Sequence, residues 1–263
     1  MSIEALSGKV FLVVTGASRG IGRQIAITFG SLLQESSHIL LLARNLNGLK
    51  KVAKNIPPKV TVHTVSIDLG EAKVTKTNFE ETILGCLSET TRDAFDRVVV
   101  VHNVGTIGDV TKFVNEMVDI DVWKQFYTLN LFLPAILNAV IMNLFDSTNI
   151  KKVVINITSL NGIQANKACG YYCSAKAARE MYFKVFALEN PDVDVLSYAP
   201  GHVDTDMLQT VCKTITNPET NKIIQHLHET NTVLTTEQTV NRLVEILKEH
   251  KYNAGDHVDY HDK

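Results

Sequence analysis

The 263-residue chain is long enough to bury a substantial core, and α/β domains of this size are common, so we expect a single domain spanning residues 1–263. A net charge of −2 and an isoelectric point near 6.5 give no general basic surface for nucleic acid. The four cysteines show no paired metal-ligand spacing, and residues 1–9 lack the apolar segment of a signal peptide. We therefore expect a cytoplasmic protein with reduced thiols and no metal site.

Apolar runs alternate with helical patterns along the chain. The apolar runs predict strands at residues 10–14, 38–43, 60–66, 97–102, 152–158, 194–198 and 257–260. Helical patterns fill residues 20–34, 45–55, 71–91, 119–145, 170–189 and 235–250. The alternation predicts an α/β fold, a doubly wound parallel sheet of the Rossmann type with about seven strands and helices on both faces. Residues 204–232 lack clean periodicity and are predicted to be an insertion near the strand ends, either a lid over the substrate or a simple surface excursion.

The most apolar stretch, residues 129–145, is only 17 residues long and contains Asn130, Pro134, Asn138 and Asn143. A membrane-spanning helix needs about 20 predominantly apolar residues, so we expect no membrane association. The three asparagines leave most of the helix circumference apolar, which is more than one sheet-facing stripe requires. We therefore expect a homodimer built from the helices at 119–145 and 170–189, with the chain's own insertion as the alternative cover.

A glycine-rich turn, Thr-Gly-Ala-Ser-Arg-Gly-Ile-Gly, follows the first predicted strand directly and opens a helix. This order predicts a dinucleotide-binding unit, because glycines allow close backbone approach and a helix N-terminus attracts pyrophosphate charge. The spacing Gly-x-x-x-Gly-x-Gly departs from the commoner Gly-x-Gly-x-x-Gly pattern. The residues predicted to contact the cofactor here are Gly16, Ser18, Arg19, Gly20, Ile21 and Gly22.

The end of the second predicted strand indicates the choice of cofactor. A free ribose 2′-hydroxyl is usually held by an acidic residue at this point, but this chain has Arg44 and Asn45 there. Arg44, helped by Arg19, can bind a 2′-phosphate through charge-assisted hydrogen bonds, and two solvated arginines are the alternative. We therefore predict NADPH or NADP⁺ as the cofactor, with Asn45 in its site.

Residues 159–176 combine a serine, a tyrosine and a lysine. Tyr172 follows Ser159 by 13 residues and precedes Lys176 by four, which places Tyr172 and Lys176 on one face of a helix. A phenol has an ordinary pKa of about 10 and is a poor acid–base catalyst at neutral pH, whereas an adjacent ammonium lowers that pKa. The pattern predicts a catalytic tyrosine, and a plain amphipathic helix face is the alternative.

Together these motifs resemble the short-chain dehydrogenase/reductase family, and the resemblance covers essentially the whole chain. Asp68 and Leu69 follow the third predicted strand, and Asn103 begins an Asn-Val-Gly segment that ends at Gly105 after the fourth. The resemblance implies that Asp68 and Leu69 contact adenine and that the Asn103–Gly105 segment stabilises the sheet beside the cofactor. Val104 replaces the family's usual alanine there.

The same resemblance implies the catalytic roles. Tyr172 would donate a proton to the substrate oxygen, Ser159 would hydrogen-bond to that oxygen, Lys176 would hold the nicotinamide ribose and Asn130 would hold a proton-relay water. After the sixth predicted strand, the residues implied to contact the nicotinamide end of the cofactor are Pro200, Gly201, Val203, Thr205 and Met207.

A narrower resemblance, in residues 105–112, 172–179, 195–201 and 255–260, is to the members of this family that reduce pterins. It implies that Asp259 anchors the pterin by accepting hydrogen bonds from its ring N–H and 2-amino group, and that Leu160, Gly201, Ser159 and Tyr172 also contact the substrate. The implied reaction is NADPH-dependent reduction of the side-chain ketone of sepiapterin or 6-pyruvoyl-tetrahydropterin, on the route to tetrahydrobiopterin. A broader carbonyl, diketone or 3-ketoacyl reductase and a non-catalytic NADP-sensing protein are the alternatives.

Overall fold

The computed structural model describes residues 3–71, 73–87, 92–230 and 232–262. Seven parallel strands form one sheet in the order β3-β2-β1-β4-β5-β6-β7. The strands are β1 (Val10–Thr15), β2 (His38–Ala43), β3 (Thr61–Ser66), β4 (Arg97–His102), β5 (Lys151–Ile157), β6 (Val193–Ala199) and β7 (Asp256–Asp259). The predicted fold is confirmed, and each strand lies within one residue of its predicted bounds.

Helices cover both faces of this sheet. They are α1 (Gly20–Leu32), α2 (Leu46–Ala53), α3 (Lys76–Cys86), α4 (Ile120–Tyr127), α5 (Leu133–Leu144), α6 (Gly170–Glu189), α7 (Asp206–Thr214), α8 (Pro218–Glu229) and α9 (Thr236–Glu249). In β1, Leu12 and Val14 pack with α1, α2 and α9, whereas Phe11 and Val13 pack with α3 and α5 on the opposite face. Because both faces are covered, β1 is buried throughout and is apolar along nearly its whole length.

Two helical predictions need correction. The helix expected at 71–91 begins at Lys76 and ends at Cys86, and residues 72 and 88–91 of that prediction lie outside the described part of the chain. The insertion at 204–232 was expected to lack periodicity, but α7 and α8 occupy most of it, with residue 231 outside the described part. Capping residues mark both starts, since Thr205 Oγ1 accepts from Leu208 N at 3.4 Å and Asn217, before Pro218, accepts from Thr220 N at 3.0 Å.

The helix predicted at 119–145 is observed as one continuous helical segment from 120 to 144, in which a π-helical turn (Thr128–Phe132) joins α4 to α5. In the described part of the chain, residues 120–144 are the one segment long and apolar enough to cross a membrane, by length and composition alone. A core helix of a soluble protein meets the same criterion, and Leu137 and Ile141 are completely buried against the sheet. Other apolar side chains of this segment remain exposed on the face away from the sheet.

We define the α5–α6 surface by five of the exposed apolar side chains on these neighbouring helices: Phe132, Ile136, Met181, Val185 and Leu188. The two helices are joined by a hydrogen bond from the Tyr182 hydroxyl to the Ala135 carbonyl, 3.2 Å long. A row of this kind exceeds the scattered single apolar residues that are normal on a protein surface.

Candidate active site

The carboxyl ends of the parallel strands meet at one edge of the sheet, which is where open α/β sheets bind ligands. The glycine turn leaves β1 at this edge, and Asn103, Ser159 and Pro200 follow β4, β5 and β6. The fold therefore brings sequence-distant motifs to one edge, in neighbouring strands.

The glycine turn after β1 forms a narrow cradle of backbone. Gly16 and Gly20 have positive φ angles of 66° and 56°, a conformation that side chains disfavour. A Cβ atom on Gly22 would lie 2.5 Å from the Gly16 carbonyl oxygen and no farther from the Asn103 side-chain amide. Asn103 Nδ2 donates to the Thr15 carbonyl at 2.9 Å, which fixes the turn to the end of β4. No side chain caps the start of α1 in the described part of the chain, so its first N–H groups suit an anionic phosphate.

The predicted adenosine side of the site lies after β2 and β3. The Arg44 side chain is 71% exposed, and its Nη1 lies 3.9 Å from Asp68 Oδ2. Asn45 accepts from Gly48 N at 2.9 Å and caps α2, so its side chain has a structural role. Asp68 Oδ1 accepts from Gly70 N at 2.8 Å, while the neighbouring Leu69 is buried. Arg44 is largely exposed, so its guanidinium could leave Asp68 and reach a phosphate.

Arg19 lies in the glycine turn, but its guanidinium forms an ion pair with Asp206 at the start of α7. To help Arg44 bind a 2′-phosphate, Arg19 would have to leave this partner. Both side chains are more than half exposed, and an exposed ion pair contributes little to stability. The free-energy cost of breaking the Arg19–Asp206 ion pair is therefore small.

Tyr172 lies in the first turn of α6 with its side chain buried and its hydroxyl hydrogen-bonded to the Ser159 side chain. Ser159 also accepts from Asn161 N at 3.2 Å, which caps the short 3-10 helix Leu160–Gly162 after β5. Leu160 projects to the surface. Burial raises the pKa of Tyr172 to about 12, and the Ser159 hydrogen bond only partly opposes it. The phenol is therefore protonated at neutral pH.

Lys176 lies one turn after Tyr172, as predicted, but its ammonium points to the end of β5. Its Nζ donates to the Ile157 carbonyl at 2.8 Å and lies 5.5 Å from the centroid of the Tyr172 ring. Burial lowers the pKa of Lys176 well below its ordinary value. The cation that lowers the pKa of Tyr172 is Arg179, and burial outweighs it, so the expected lowering of that pKa by Lys176 is not found.

Asn130 is buried in the π-helical turn, a feature often found at functional sites. Its Nδ2 donates to the Phe126 carbonyl at 2.9 Å, and its Oδ1 accepts from Thr106 N at 3.1 Å. A Cβ on Gly105 would lie 3.1 Å from that same Oδ1. Asn130 therefore fixes the segment after β4 against the central helix.

The segment after β6 connects the sheet edge to α7. The Pro200 carbonyl accepts from Thr239 Oγ1 at 2.8 Å, and Gly201 adopts a positive φ of 73°. Val203 pairs with Leu234 in an isolated parallel bridge, and Met207 packs against the hydrophobic cluster that contains Tyr172. The helices that replace the expected irregular insertion thus begin beside the predicted catalytic tyrosine.

Asp259 is the last residue of β7 and pairs with Ala199 at the end of β6. Its Oδ1 accepts from His261 N at 3.0 Å, and the side chain is half-buried. A Cβ on Gly201 would lie 3.5 Å from the neighbouring Tyr260. The end of β7 therefore lies beside the segment after β6, although 58 residues separate Asp259 from Gly201 in the chain.

Sequence reasoning assigned no role to two buried charges on α6. Arg179 donates from Nη1 to the Val104 carbonyl at 3.0 Å and from Nη2 to the His102 carbonyl, so it holds the end of β4. The Glu180 carboxylate bonds to Thr158 and His257. Both charges face inward on a helix that also carries Tyr172, and fully buried Arg or Glu is rare unless paired. In the sequence, Arg179 and Glu180 fall on the same predicted helix face as Tyr172 and Lys176. This shared face was the signal from which their burial could have been predicted.

Comparisons with known proteins agree with this geometry. The family model described as short chain dehydrogenase matches residues 10–216. The chain belongs to the short-chain dehydrogenase family. A sepiapterin reductase of Bos taurus is 34% identical over 261 residues, covering 97% of this chain and 96% of that protein. This similarity confirms the narrower resemblance to pterin-reducing members of the family.

The chain is also similar to a benzil reductase in sequence and to a yeast short-chain dehydrogenase/reductase in structure. A benzil reductase of Bacillus subtilis is 28% identical, covering 92% of this chain and 95% of that protein. A solved short-chain dehydrogenase/reductase of Saccharomyces cerevisiae is 25% identical, with a TM-score of 0.79 and 97% of each chain covered. Family membership makes this protein an oxidoreductase with a Rossmann-type sheet.

Proposed function

We propose that this protein is a cytoplasmic, single-domain, NADPH-dependent reductase of pterin side-chain ketones, acting on sepiapterin and 6-pyruvoyl-tetrahydropterin in tetrahydrobiopterin formation. The observation that carries the proposal is the pairing of Asp259 with Ala199 at the carboxyl end of β6, the sheet edge at which Ser159 also follows β5. A pterin presents a ring N–H and a 2-amino group side by side, and one carboxylate can accept from both. The similarity to sepiapterin reductases supports the same substrate class.

The fit to NADPH rests on the glycine cradle and on Arg44. The uncapped N-terminus of α1 and the positive φ angles of Gly16 and Gly20 suit a pyrophosphate. Arg44 would hold the 2′-phosphate, because its guanidinium is exposed and no carboxylate replaces it at the end of β2. Lys176 would hold the nicotinamide ribose, since its ammonium has three donors and the Ile157 carbonyl takes one.

In the proposed mechanism, NADPH supplies the hydride when it is bound. Tyr172 donates its proton to the oxygen of the substrate ketone, and burial keeps this proton in place until negative charge develops on that oxygen. Ser159, whose single hydroxyl proton bonds to Tyr172 before the reaction, would turn that proton to the same substrate oxygen. Asn130 would hold the water through which Tyr172 and Ser159 regain the donated proton.

The test is NADPH oxidation by the purified protein with sepiapterin, beside a small vicinal diketone such as 2,3-butanedione. We expect kcat/KM for sepiapterin to exceed that for the diketone at least tenfold. A preference for the diketone would favour the second candidate, a dicarbonyl reductase, which the similarity to benzil reductases supports. Absence of turnover with both substrates would contradict the proposed enzyme.

We also propose that the protein is a homodimer through the α5–α6 surface. The five apolar side chains of this surface lie on two neighbouring helices, so a two-fold axis would pack them against the same helices of a second copy. Burial between copies would remove apolar side chains from water, and Leu188 alone is 84% exposed.

A further inference from the structure

A buried contact between a carboxylate and an imidazole joins the helix that carries Tyr172 to the carboxyl-terminal strand. His257 Nδ1 lies 2.9 Å from Glu180 Oε1, and the two side chains are 10% and 4% exposed. The second carboxylate oxygen of Glu180 accepts from the Thr158 hydroxyl at 2.5 Å. Glu180 thus connects α6 to β7 and to the residue immediately before Ser159, although 77 residues separate Glu180 from His257 in the chain.

Each carboxylate oxygen of Glu180 has a hydrogen-bond partner. A buried carboxylate is costly unless both of its oxygens are bonded, and here both are. The Glu180 hydrogen bond raises the pKa of His257 above its ordinary value. Removing His257 would leave a buried carboxylate oxygen of Glu180 without its partner.

The strand that contains His257, β7, is held only weakly by the rest of the sheet. β7 has four residues, lies at the edge of the sheet and has only β6 as a neighbouring strand. Short edge strands have few ladder hydrogen bonds to fix their position. On one face of β7, Val258 packs against the hydrophobic core with Tyr260, which follows the strand. On the other face, the anchor is the bond from His257 to Glu180.

His257 and Asp259 are two residues apart on β7, so their side chains project from the same face of the strand. The Asp259 charge raises the pKa of His257, which shows that the carboxylate and the imidazole are within electrostatic range. We propose that Glu180 and His257 are positioning residues for the pterin: their hydrogen bond holds β7 against α6 and so fixes the Asp259 carboxylate relative to Tyr172. The inference rests on the proposed function, and it assigns substrate selectivity to residues that need not touch the substrate.

The first test compares two substrates in variants of His257. His257→Phe keeps a ring but removes the donor, and we expect KM for sepiapterin to rise about tenfold. This corresponds to about 1.4 kcal/mol. We expect kcat for sepiapterin and kcat/KM for 2,3-butanedione to stay within about twofold, because the small diketone does not use Asp259. His257→Asn, which presents an amide N–H near the position of Nδ1, should restore most of the loss.

Tyr252→Phe is the matched control. It removes another partly buried hydrogen bond of the carboxyl-terminal segment, from the Tyr252 hydroxyl to Asp194 Oδ2 at 2.9 Å. We expect this variant to reduce both substrates like the parent. If His257→Phe does not fold, Glu180→Gln carries the same comparison, because it keeps an acceptor for Thr158 and removes the charge. An equal loss with both substrates in either variant would overturn the proposal.

The second test asks whether His257 acts through Asp259. In an Asp259→Asn background, His257→Phe should change KM for sepiapterin by less than twofold, because the group that it positions has already lost its function. A full tenfold effect in that background would overturn the proposal.

A third measurement does not depend on the substrate. Hydrogen–deuterium exchange of residues 255–262 should be faster in His257→Phe than in the parent, whereas exchange in β4 and β5, which do not pair with β7, should be unchanged. Unaltered exchange in 255–262 would refute the anchoring of β7. Failure of the parent to reduce sepiapterin, with the exchange result as expected, would refute the proposed function and leave the anchoring intact.

Discussion

Replacing Asp259 by asparagine tests the proposed pterin anchor with little disturbance of the fold. Asp259 Oδ1 accepts from His261 N at 3.0 Å, and the asparagine carbonyl oxygen can keep this bond. The amide nitrogen then replaces Oδ2, so a donor faces the pterin donors where an acceptor was. A hydrogen bond to a charged group contributes about 1.5–3 kcal/mol. Since each 1.4 kcal/mol is about tenfold, kcat/KM for sepiapterin should fall about 10- to 150-fold.

The assay is steady-state NADPH oxidation by parent and variant with sepiapterin and with 2,3-butanedione. The diketone has no N–H edge, so its kcat/KM should change less than twofold. Asp262→Asn is the control, because Asp262 lies in the same tail and its carboxylate accepts from Asp259 N at 2.8 Å, a bond that an amide oxygen can keep. An equal loss for both substrates in Asp259→Asn would mean that Asp259 is structural and would refute the reasoning.

Three further predictions concern proton transfer, the cofactor and assembly. Tyr172→Phe should lower kcat by about 10²–10⁴-fold, because the ring still packs but no proton is donated; NADPH binding, followed by fluorescence, should be nearly unchanged, and parental activity would remove Tyr172 from the mechanism. The parent should use NADPH at least tenfold more efficiently than NADH, a difference of about 1.4 kcal/mol, and Arg44→Ala should erase most of it while the exposed-residue control Lys50→Ala does not; equal use of both cofactors by the parent would contradict this role. Light scattering of the parent should give twice the 29.2 kDa chain mass, and Leu188→Glu should give the monomer mass, whereas a parent at 29.2 kDa would rule out the dimer.

Much of the fold follows from local patterns in the sequence. The continuous apolar run from Val10 to Val14 predicts a parallel strand that is covered on both faces, and β1 is buried at every position. The glycine turn, with Gly16 and Gly20 at positive φ, is equally local. The four-residue spacing of Tyr172 and Lys176 places them on one helical face wherever the helix packs. These features depend on backbone geometry within a few residues.

Local sequence patterns did not predict the short helices α7 and α8 or the π-helical turn, because these elements depend on contacts with other parts of the molecule. Helices α7 and α8 occupy a segment that was expected to be irregular, although Thr205 and Asn217 mark their starts. The π-helical turn around Asn130 leaves no clear periodic signature, because the extra residue per turn is stabilised by side-chain bonds to Phe126 and to Thr106.

The sequence by itself therefore determined the strands and most of the helices in chain order, the glycine turn after β1 and the placement of Tyr172 and Lys176 on one face of α6. Only the tertiary structure decided which distant charges meet: Arg179 with the end of β4, Glu180 with His257, and Asp259 with the segment after β6. The physical reason is that a side chain's partners across the molecule depend on strand order and helix placement, which no periodicity encodes. The same burial that pairs these charges also sets the pKa of Tyr172, which neighbouring residues in the sequence could not reveal.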